Sequence, residues 1–444
     1  MSDVTVPSMI LPLVGLVLYH AIFFWGIYRD PFQMATSELL STFYPTWRHR
    51  GKDNYWLRPN CHPVLSTYYP PQILSSLIGR TLSLDASFFV LLWSMLVHIL
   101  FSSVGWFFLL KPMFGEATAV FGAITLSYQA FNLKQQPCIA YTHGWFPWCL
   151  SPNPIISTVS VGMLLLAGYY PLAIYLLPVV VLIQVIVFHQ AWVLLGMVMG
   201  LIQVIPFLVY LPKTIRKPYG EGKLGPWELH YYFGLAPLVI LATTFQKSYL
   251  TILIPVIMSY LLRKWLPRGY QRAWCLSVFI AMYFCLTAMV GMDRLTLSLL
   301  ILIQCFDLWL HNHQLLPPRP FCELPKRPSL AFNTQLTRFL DANLDKDARV
   351  SGLPFPLFTG LVNGYKTLGY CGSMQLKLMA KWRGDTNPNG SGHHDYFMGK
   401  EDSDALDIGR VQFAFSRKRL DWPRTIIRNL YANPRYNHSK HITA

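Results

Sequence analysis

The stretch ASFFVLLWSMLVHILFSSVGWFFLL, residues 86–110, decides the fold of this chain. It contains no Asp, Glu, Lys or Arg, and it exceeds the length of about 20 apolar residues that a helix needs to cross about 30 Å of hydrocarbon. Backbone in hydrocarbon must satisfy its own hydrogen bonds, which a helix does within one segment. The stretch therefore predicts a membrane-spanning helix.

Similar apolar runs fill the chain between Met9 and Asn312, and the few charged residues lie in the gaps. The chain is 53% hydrophobic and 13% charged, whereas soluble domains have about 25% charged residues. The runs predict an all-α polytopic membrane bundle of about ten transmembrane helices, formed by residues 1–312. The spans are expected at residues 9–28, 86–110, 114–131, 154–169, 171–188, 190–211, 233–247, 248–265, 272–291 and 295–311.

The charge distribution predicts the orientation. A net charge of +16 would suit nucleic acid in a soluble protein, but here Lys and Arg lie in loops and in the tail, where lipid phosphates explain them. In a ten-span count, two basic clusters lie on the same side of the membrane as the N-terminus. The positive-inside rule assigns that side to the cytoplasm. The clusters are Lys213, Arg216, Lys217 and Lys223, and Arg263, Lys264, Arg268 and Arg272. The loops at residues 29–85 and 132–152 would then lie outside.

The apolar runs end near His313, and a proline-rich segment leads into the tail. Helical spacing after Ser329 and the alternation of Val411, Phe413 and Phe415 predict a small α+β appendage over residues 313–444. The eight cysteines show no paired close spacing, so neither a zinc site nor a disulfide framework is predicted.

The first loop, residues 29–85, carries the candidate chemistry. Its acids Asp30 and Glu38 could take a proton from an acceptor hydroxyl, or hold a divalent cation against a phosphate. Basic and aromatic side chains in the same loop suit a phosphate and a sugar face: Arg48, Arg50, Arg58, Tyr68 and Tyr69. The alternative interpretation is an interfacial aromatic belt with snorkelling arginines and solvated carboxylates.

The same loop should contain a short interfacial helix. Ile73, Leu74, Leu77 and Ile78 recur at helical spacing, and a Pro-Pro pair at residues 70–71 is a start signal. We expect a helix near residues 72–78 that lies along the membrane surface.

Three further polar residues have a functional and a structural interpretation. His143, in the expected second outer loop, is a base, a phosphate partner or a headgroup-level anchor. Glu116 and Asp307 are costly in lipid and so are functional candidates, although both lie near helix ends, where Glu116 could be a cap.

Read in order, several loop segments resemble the YfhO family of bacterial membrane proteins, part of the GT-C superfamily of polytopic glycosyltransferases. The segments are SELLSTFYPTW, RPNCHPVLSTYYPPQIL, GWFPW, LLLAGYYPLAIY and MGLIQVIPFLVYLPKTIRK, followed in the tail by DARV, VNGYKTLGY and DIGRVQFAFSRKRL. They are collinear over roughly residues 30–420. The chain departs from the family pattern at Glu38, where Asp is usual, and at Tyr169, where His is usual.

The resemblance implies an enzyme of the inner (cytoplasmic) membrane that moves a sugar from a polyprenyl-phosphate donor to a cell-envelope glycan or glycolipid on the outer face. Glu38 is then the expected base, or Asp30 if the register is shifted by one helical segment. Arg48, Arg50, Arg58, Tyr68, Tyr69, His143 and Arg216 are the expected substrate-binding residues. No cofactor is required, and no metal-ligand set is assigned. The alternative is a non-enzymatic transporter or assembly factor for envelope lipids or polysaccharide, which would bind in the same cavity without chemistry.

Overall fold

The computed structural model is mainly helical in the part of the chain it describes. The described residues are 7–31, 39, 44–48, 56–57, 62–63, 68–129, 137–168, 170–210, 234–244, 281–315, 342–343, 349–351, 411–414, 425–426 and 442–443. The first six helices are α1 Pro7–Phe23, α2 Trp25–Arg29, α3 Tyr44–Arg48, α4 Pro70–Arg80, α5 Leu84–Phe114 and α6 Glu116–Ser127. They are followed by α7 Pro137–Cys149, α8 Pro154–Leu166, α9 Tyr170–Leu182 with a π-helical turn at Ile183–Val187, α10 Val193–Tyr210, α11 Leu235–Thr244, α12 (281–289) and α13 Arg294–Leu315.

Short strands form three two-stranded ladders among the described residues. In the first loop, β1 (Trp56–Leu57) pairs antiparallel with β2 (His62–Pro63). In the tail, β3 (Arg349–Ser351) pairs parallel with β4 (Val411–Ala414), and β5 (Thr425–Ile426) pairs antiparallel with β6 (Ile442–Thr443). The helix expected after Ser329 lies almost wholly outside the described residues.

Two of the described helices are long and apolar enough to cross a membrane. They correspond to Asp85–Phe114 in α5 and Arg294–His311 in α13. Five shorter apolar helical segments accompany them: Ile10–Phe23, Glu116–Ser127, Pro154–Leu166, Leu176–Val187 and Val193–Val209. The helix predicted at residues 86–110 is therefore present, because α5 covers all of it.

Apolar side chains point outward on these helices and polar side chains point inward. On α13, Leu302 and Phe306 are 65% and 63% exposed, whereas Gln304 is completely buried. On α10, Gln203 is completely buried while Val198 is well exposed. A soluble protein shows the opposite pattern, and exposed apolar patches of this kind mark surfaces that contact lipid or another protein.

One element differs from the sequence expectation. Residues 132–152 were expected to be an outer loop, but most of this segment is helix α7. Contacts with α5 show the direction of α7, because residues later in α7 contact residues later in α5. The Tyr141 and Ser94 hydroxyls are 2.7 Å apart, and the Trp148 indole donates to the Phe101 carbonyl at 3.1 Å. Helices α5 and α7 therefore lie side by side and run in the same direction.

Close helix packing follows α7. The turn from α7 to α8 is held by Gln184, whose amide donates to the carbonyls of Cys149 and Ser151 at 2.8 and 2.9 Å. Helix α10 then packs on α8 through Gly196 and Gly200. A Cβ atom at either position would collide with α8. Small residues four apart are a common means of close helix approach in membranes.

The contacts divide the chain into two compact units. The first contains Met1–Met34, Leu92–Val204 and Pro218–Pro318. The second contains Ala35–Leu91, Ile205–Lys217 and Arg319–Ala444. The candidate residues of the first loop from Arg48 onward belong to the second unit, whereas Asp30 and His143 belong to the first.

Candidate functional site

In the described part of the first loop, α3 packs on α4. The helix expected near residues 72–78 is present as α4, and Pro70 and Pro71 occupy its first turn as expected. Its polar side faces the protein, since Gln72, Ser75 and Ser76 are buried. Its apolar side faces outward, which is the inverse of a helix on a soluble protein.

Trp47 joins α3 to the inner side of α4. Its indole N–H donates to the Ser75 hydroxyl at 3.1 Å, and the Ser76 hydroxyl donates to its backbone carbonyl at 2.7 Å. The indole ring lies against Gly79, where any side chain would collide with it. The side chain of Trp47 is almost completely buried. These contacts fix the end of α3 on α4.

Arg48 ties α3 to the C-terminal end of α4. Its guanidinium donates to the Gly79 carbonyl at 3.0 Å, to the Ser87 hydroxyl at 2.6 Å and, through Nη2, to the Leu82 carbonyl at 3.3 Å. A cation that hydrogen-bonds the last carbonyls of a helix also interacts favourably with the helix dipole. Most of the five N–H groups of this guanidinium are therefore used in contacts within the protein.

Arg80 was absent from the sequence prediction. It ends α4, and its Nε donates to the Arg48 carbonyl at 3.1 Å while Nη2 donates to the Ser76 hydroxyl at 3.3 Å. Burial lowers the pKa of Arg80, and the positive charge of Arg48 lowers it further. The bond from Nε holds the Arg80 guanidinium against the backbone of Arg48.

Tyr44, the first residue of α3, contacts the start of α5. Its hydroxyl hydrogen-bonds the Ser87 hydroxyl, which also accepts from Arg48. Its ring packs edge-on against Phe88 at 5.3 Å. Burial raises the pKa of Tyr44, although the hydrogen bond to Ser87 and the charge of Arg48 oppose this shift. The ring is completely buried, so Tyr44 supports the loop.

Tyr68 and Tyr69 differ in accessibility. Tyr69 is completely buried and is the N-cap residue of α4, where its carbonyl accepts from Ile73 N. Its ring packs within the protein, so it presents no open face to a sugar. Tyr68 is half-buried and keeps part of its side chain accessible. Of this pair, Tyr68 is the one that a substrate could reach in this structure.

The remaining expected site residues fall into two groups. Glu38, Arg50, Arg58 and Arg216 lie outside the described residues. In the other unit, Asp30 is exposed and directly follows α2, with its backbone N–H bonded to Gly26. His143 is partly buried on α7 and belongs to a helix, not to the expected outer loop.

Glu116 and Asp307 both have structural partners, and Asp307 lies well inside α13, not near its end as expected. Glu116 lies in the first turn of α6 and pairs with Lys111 at 2.8 Å. Asp307 accepts a hydrogen bond from Leu235 N at 2.7 Å, so it caps the N-terminus of α11 from the neighbouring helix α13. An oxygen at this position satisfies a backbone donor that the helix leaves open. The structure thus gives each acid a role as a helix-end group.

Two buried histidines were missed by the sequence analysis. His20, in α1, lies between two tyrosines: Nδ1 is 2.9 Å from the Tyr128 hydroxyl and Nε2 is 3.1 Å from the Tyr28 hydroxyl. His98, in α5, bonds the Ser94 carbonyl at 2.6 Å and packs on Tyr141. The signal was available, because an ionisable residue inside an apolar run is a functional candidate by default.

The arrangement in the first loop can position charged and hydroxyl groups at the edge of an apolar surface. Within the described residues, no three His, Cys, Asp or Glu side chains lie together as metal ligands would. No protein-family model matches the chain, and no curated protein matches it.

Proposed function

We propose that this protein is a polytopic GT-C-type glycosyltransferase of the cytoplasmic membrane, which moves a sugar from a polyprenyl-phosphate donor to a hydroxyl of a cell-envelope acceptor on the outer face. The observation that carries the proposal is the inverse amphipathic helix α4. Its outward apolar side and inward polar side suit a loop that lies on a bilayer surface. A donor with a lipid tail would reach such a loop without leaving the membrane.

Several observations support the membrane bundle. Helices α5 and α13 have the required length and composition. The outward apolar side chains of α10 and α13 and the close approach of α8 and α10 are typical of helices in lipid. In this proposal α7 would lie in the membrane beside α5, to which it is parallel, in addition to the helices expected from the apolar runs.

The chemistry requires one base. In the proposed reaction Glu38 removes the proton from the acceptor hydroxyl, whose oxygen attacks the anomeric carbon of the donor sugar with inversion. The bond from this carbon to the phosphate oxygen breaks, and its electrons leave with the polyprenyl phosphate. Asp30 is the alternative base. No cofactor takes part, and a divalent cation on the leaving phosphate is compatible with the reaction.

The other residues have binding and positioning roles in this proposal. Arg50, Arg58 and Arg216 would hold the donor phosphate, because guanidinium groups match its geometry and charge. Arg48 would add positive charge beside this phosphate, in addition to joining α3 to α4. Tyr68 would contact the sugar, and Tyr69 would support α4 from the interior.

The test uses the Glu38→Gln variant in proteoliposomes with a radiolabelled polyprenyl-phosphate sugar. Glutamine keeps the shape of the side chain and removes the base, so sugar transfer should be abolished while the protein remains folded and inserted. Asp30→Asn is the matched comparison. Transfer lost only in Asp30→Asn would move the base to Asp30, and full activity in both variants would overturn the general-base role of this loop.

The buried histidines favour a second candidate, a transporter or assembly factor for envelope lipids. Transporters place polar groups at mid-membrane depth, and His20 and His98 lie inside α1 and α5. The same proteoliposomes distinguish the two functions. A transporter would move the labelled lipid between leaflets without releasing polyprenyl phosphate, whereas a transferase would release it in proportion to the acceptor glycosylated.

A further inference from the structure

We propose that Arg48 and Arg80, together with the apolar side of α4, form a binding site for an anionic phospholipid of the surrounding bilayer. The two guanidinium groups would hold the lipid phosphate, and the acyl chains would lie along the exposed leucine and isoleucine side chains of α4. This inference does not depend on sugar transfer. It requires only that α4 lies at a membrane surface.

The guanidinium groups keep donors available for such a phosphate. Arg48 uses three N–H groups in contacts with Gly79, Leu82 and Ser87, and Arg80 uses two in contacts with Arg48 and Ser76. A guanidinium has five N–H groups in a fixed planar arrangement. With a further hydrogen bond between Arg48 and the Tyr44 side chain, contacts to described residues leave at least one N–H group of Arg48 and three of Arg80. Arg80 is exposed and Arg48 is half-buried, so a ligand can reach both.

The two arginines have no ion-pair partner in the part of the chain that the structure describes. Among the described residues, neither arginine forms an ion pair, and the one ion pair is that of Lys111 with Glu116. Asp85 is the described acid closest to Arg80 in sequence, and it is exposed in the first turn of α5 without an ion pair to either arginine. Two like charges held together by hydrogen bonds repel each other, and a bound anion would remove that repulsion.

The apolar side of α4 selects the kind of anion. Leu74, Leu77 and Ile78 are 61%, 53% and 48% exposed, and they lie on the helix that ends at Arg80. A free phosphate would contact the arginines alone. A phospholipid fits both features, because its phosphate lies at the boundary where its acyl chains begin. A net negative headgroup is favoured, because each basic residue near a membrane surface attracts anionic lipid by about 1 kcal/mol.

The test measures lipid binding to the purified full-length protein by native mass spectrometry. Phosphatidylglycerol is titrated onto delipidated protein in detergent, with phosphatidylcholine as the neutral-headgroup comparison. Arg80→Gln removes the charge and should weaken the tightest phosphatidylglycerol site about fivefold, which corresponds to about 1 kcal/mol. Arg80→Lys keeps the charge and should restore most of the affinity. Arg294→Gln removes an exposed arginine on α13 and should change little.

A second variant tests the apolar part of the site. Leu74→Ser alters an exposed side chain that makes no hydrogen bond, so it keeps the experiment decisive even if Arg80→Gln fails to fold. It should weaken phosphatidylglycerol binding and leave the unfolding midpoint in detergent unchanged.

Three results would overturn the proposal. Wild-type lipid affinity in both Arg80→Gln and Leu74→Ser would show that α4 is not the site. Equal losses in Arg80→Gln and Arg294→Gln would show a general charge effect. Stoichiometric displacement of phosphatidylglycerol by polyprenyl phosphate would assign the site to the sugar donor. Sugar transfer is not part of the readout, so a failure of the proposed function would leave this result interpretable.

Discussion

The indole of Trp47 lies directly on the backbone of Gly79, so that α4 approaches α3 at a point where no side chain fits. This contact is flanked by the hydrogen bonds from Trp47 to Ser75 and from Arg48 to the Gly79 carbonyl. One glycine therefore determines both the packing of the indole and the position of the carbonyl that Arg48 bonds.

The Gly79→Ala variant should destabilise the protein, because the new methyl group collides with a buried ring that hydrogen bonds hold in place. We expect a loss of about 1–3 kcal/mol, as for other overpacked sites. Equilibrium unfolding in mixed micelles measures it. Gly15→Ala on α1 is the control, since a Cβ atom there meets nothing within 4 Å, and alanine in an open helical position should be neutral or mildly stabilising. Equal stability of the two variants would contradict the contact.

The packing of α8 on α10 should respond to glycine substitutions in a graded manner. A Cβ atom on Gly196 would collide with the Thr158 carbonyl, a backbone atom that cannot rotate away, whereas one on Gly162 would lie 3.2 Å from the Met199 side chain. We therefore expect Gly196→Ala to lower the thermal unfolding midpoint markedly and Gly162→Ala to lower it slightly. A reversed order would show that the helices are packed differently.

The hydrogen bond from Arg48 to Ser87 should appear as a coupling energy. In a double-mutant cycle with Arg48→Met and Ser87→Ala, we expect the two effects on the free energy of unfolding to be non-additive by about 0.5–3 kcal/mol. Arg294→Met with Ser298→Ala is the control cycle, because the Ser298 hydroxyl bonds the backbone carbonyl of Arg294 and not its side chain. Coupling of equal size in both cycles would argue against a specific bond.

The buried histidine in α1 should behave as one unit with Tyr128. Replacing His20 with Phe removes a hydrogen-bond partner from a completely buried hydroxyl, which should cost about 1–3 kcal/mol. Tyr128→Phe should cost less in the His20→Phe background than in the wild type, because the bond between these two side chains is then already lost. Unfolding curves of the two single variants and the double variant test this, and fully additive losses would contradict the pairing.

The sequence predicted those elements whose signal is local. Helix α5 follows from one uninterrupted apolar run, and α4 follows from the spacing of Ile73, Leu74, Leu77 and Ile78 after a Pro-Pro pair. Helix α7 was missed because polar residues and Pro147 interrupt its pattern. Its stability comes from contacts with α5, such as that of Tyr141 with Ser94, and a pattern within 13 residues does not contain such contacts.

The roles of individual polar residues were harder to predict than the helices. The sequence selected Arg48 for its charge, but its donors join α3 to the end of α4, to the turn after it and to the start of α5, as only the folded arrangement shows. Asp307 was selected for its cost in lipid, and the residue it caps is 72 positions earlier in the chain. Arg80 was passed over because its significance depends on Arg48, which lies 32 positions away.

In the proposed membrane bundle, α7 would add one pass beside α5, because the two helices run in the same direction. A count that keeps residues 132–152 on one face gives an even number of passes, so that both ends of the chain emerge on the same side. One further pass by α7 would make the number odd and exchange the side of every later loop. A cysteine at Ser2 and a cysteine at Ser439 should then react with a membrane-impermeant reagent from opposite faces of sealed vesicles, and labelling of both from one face would restore the even count.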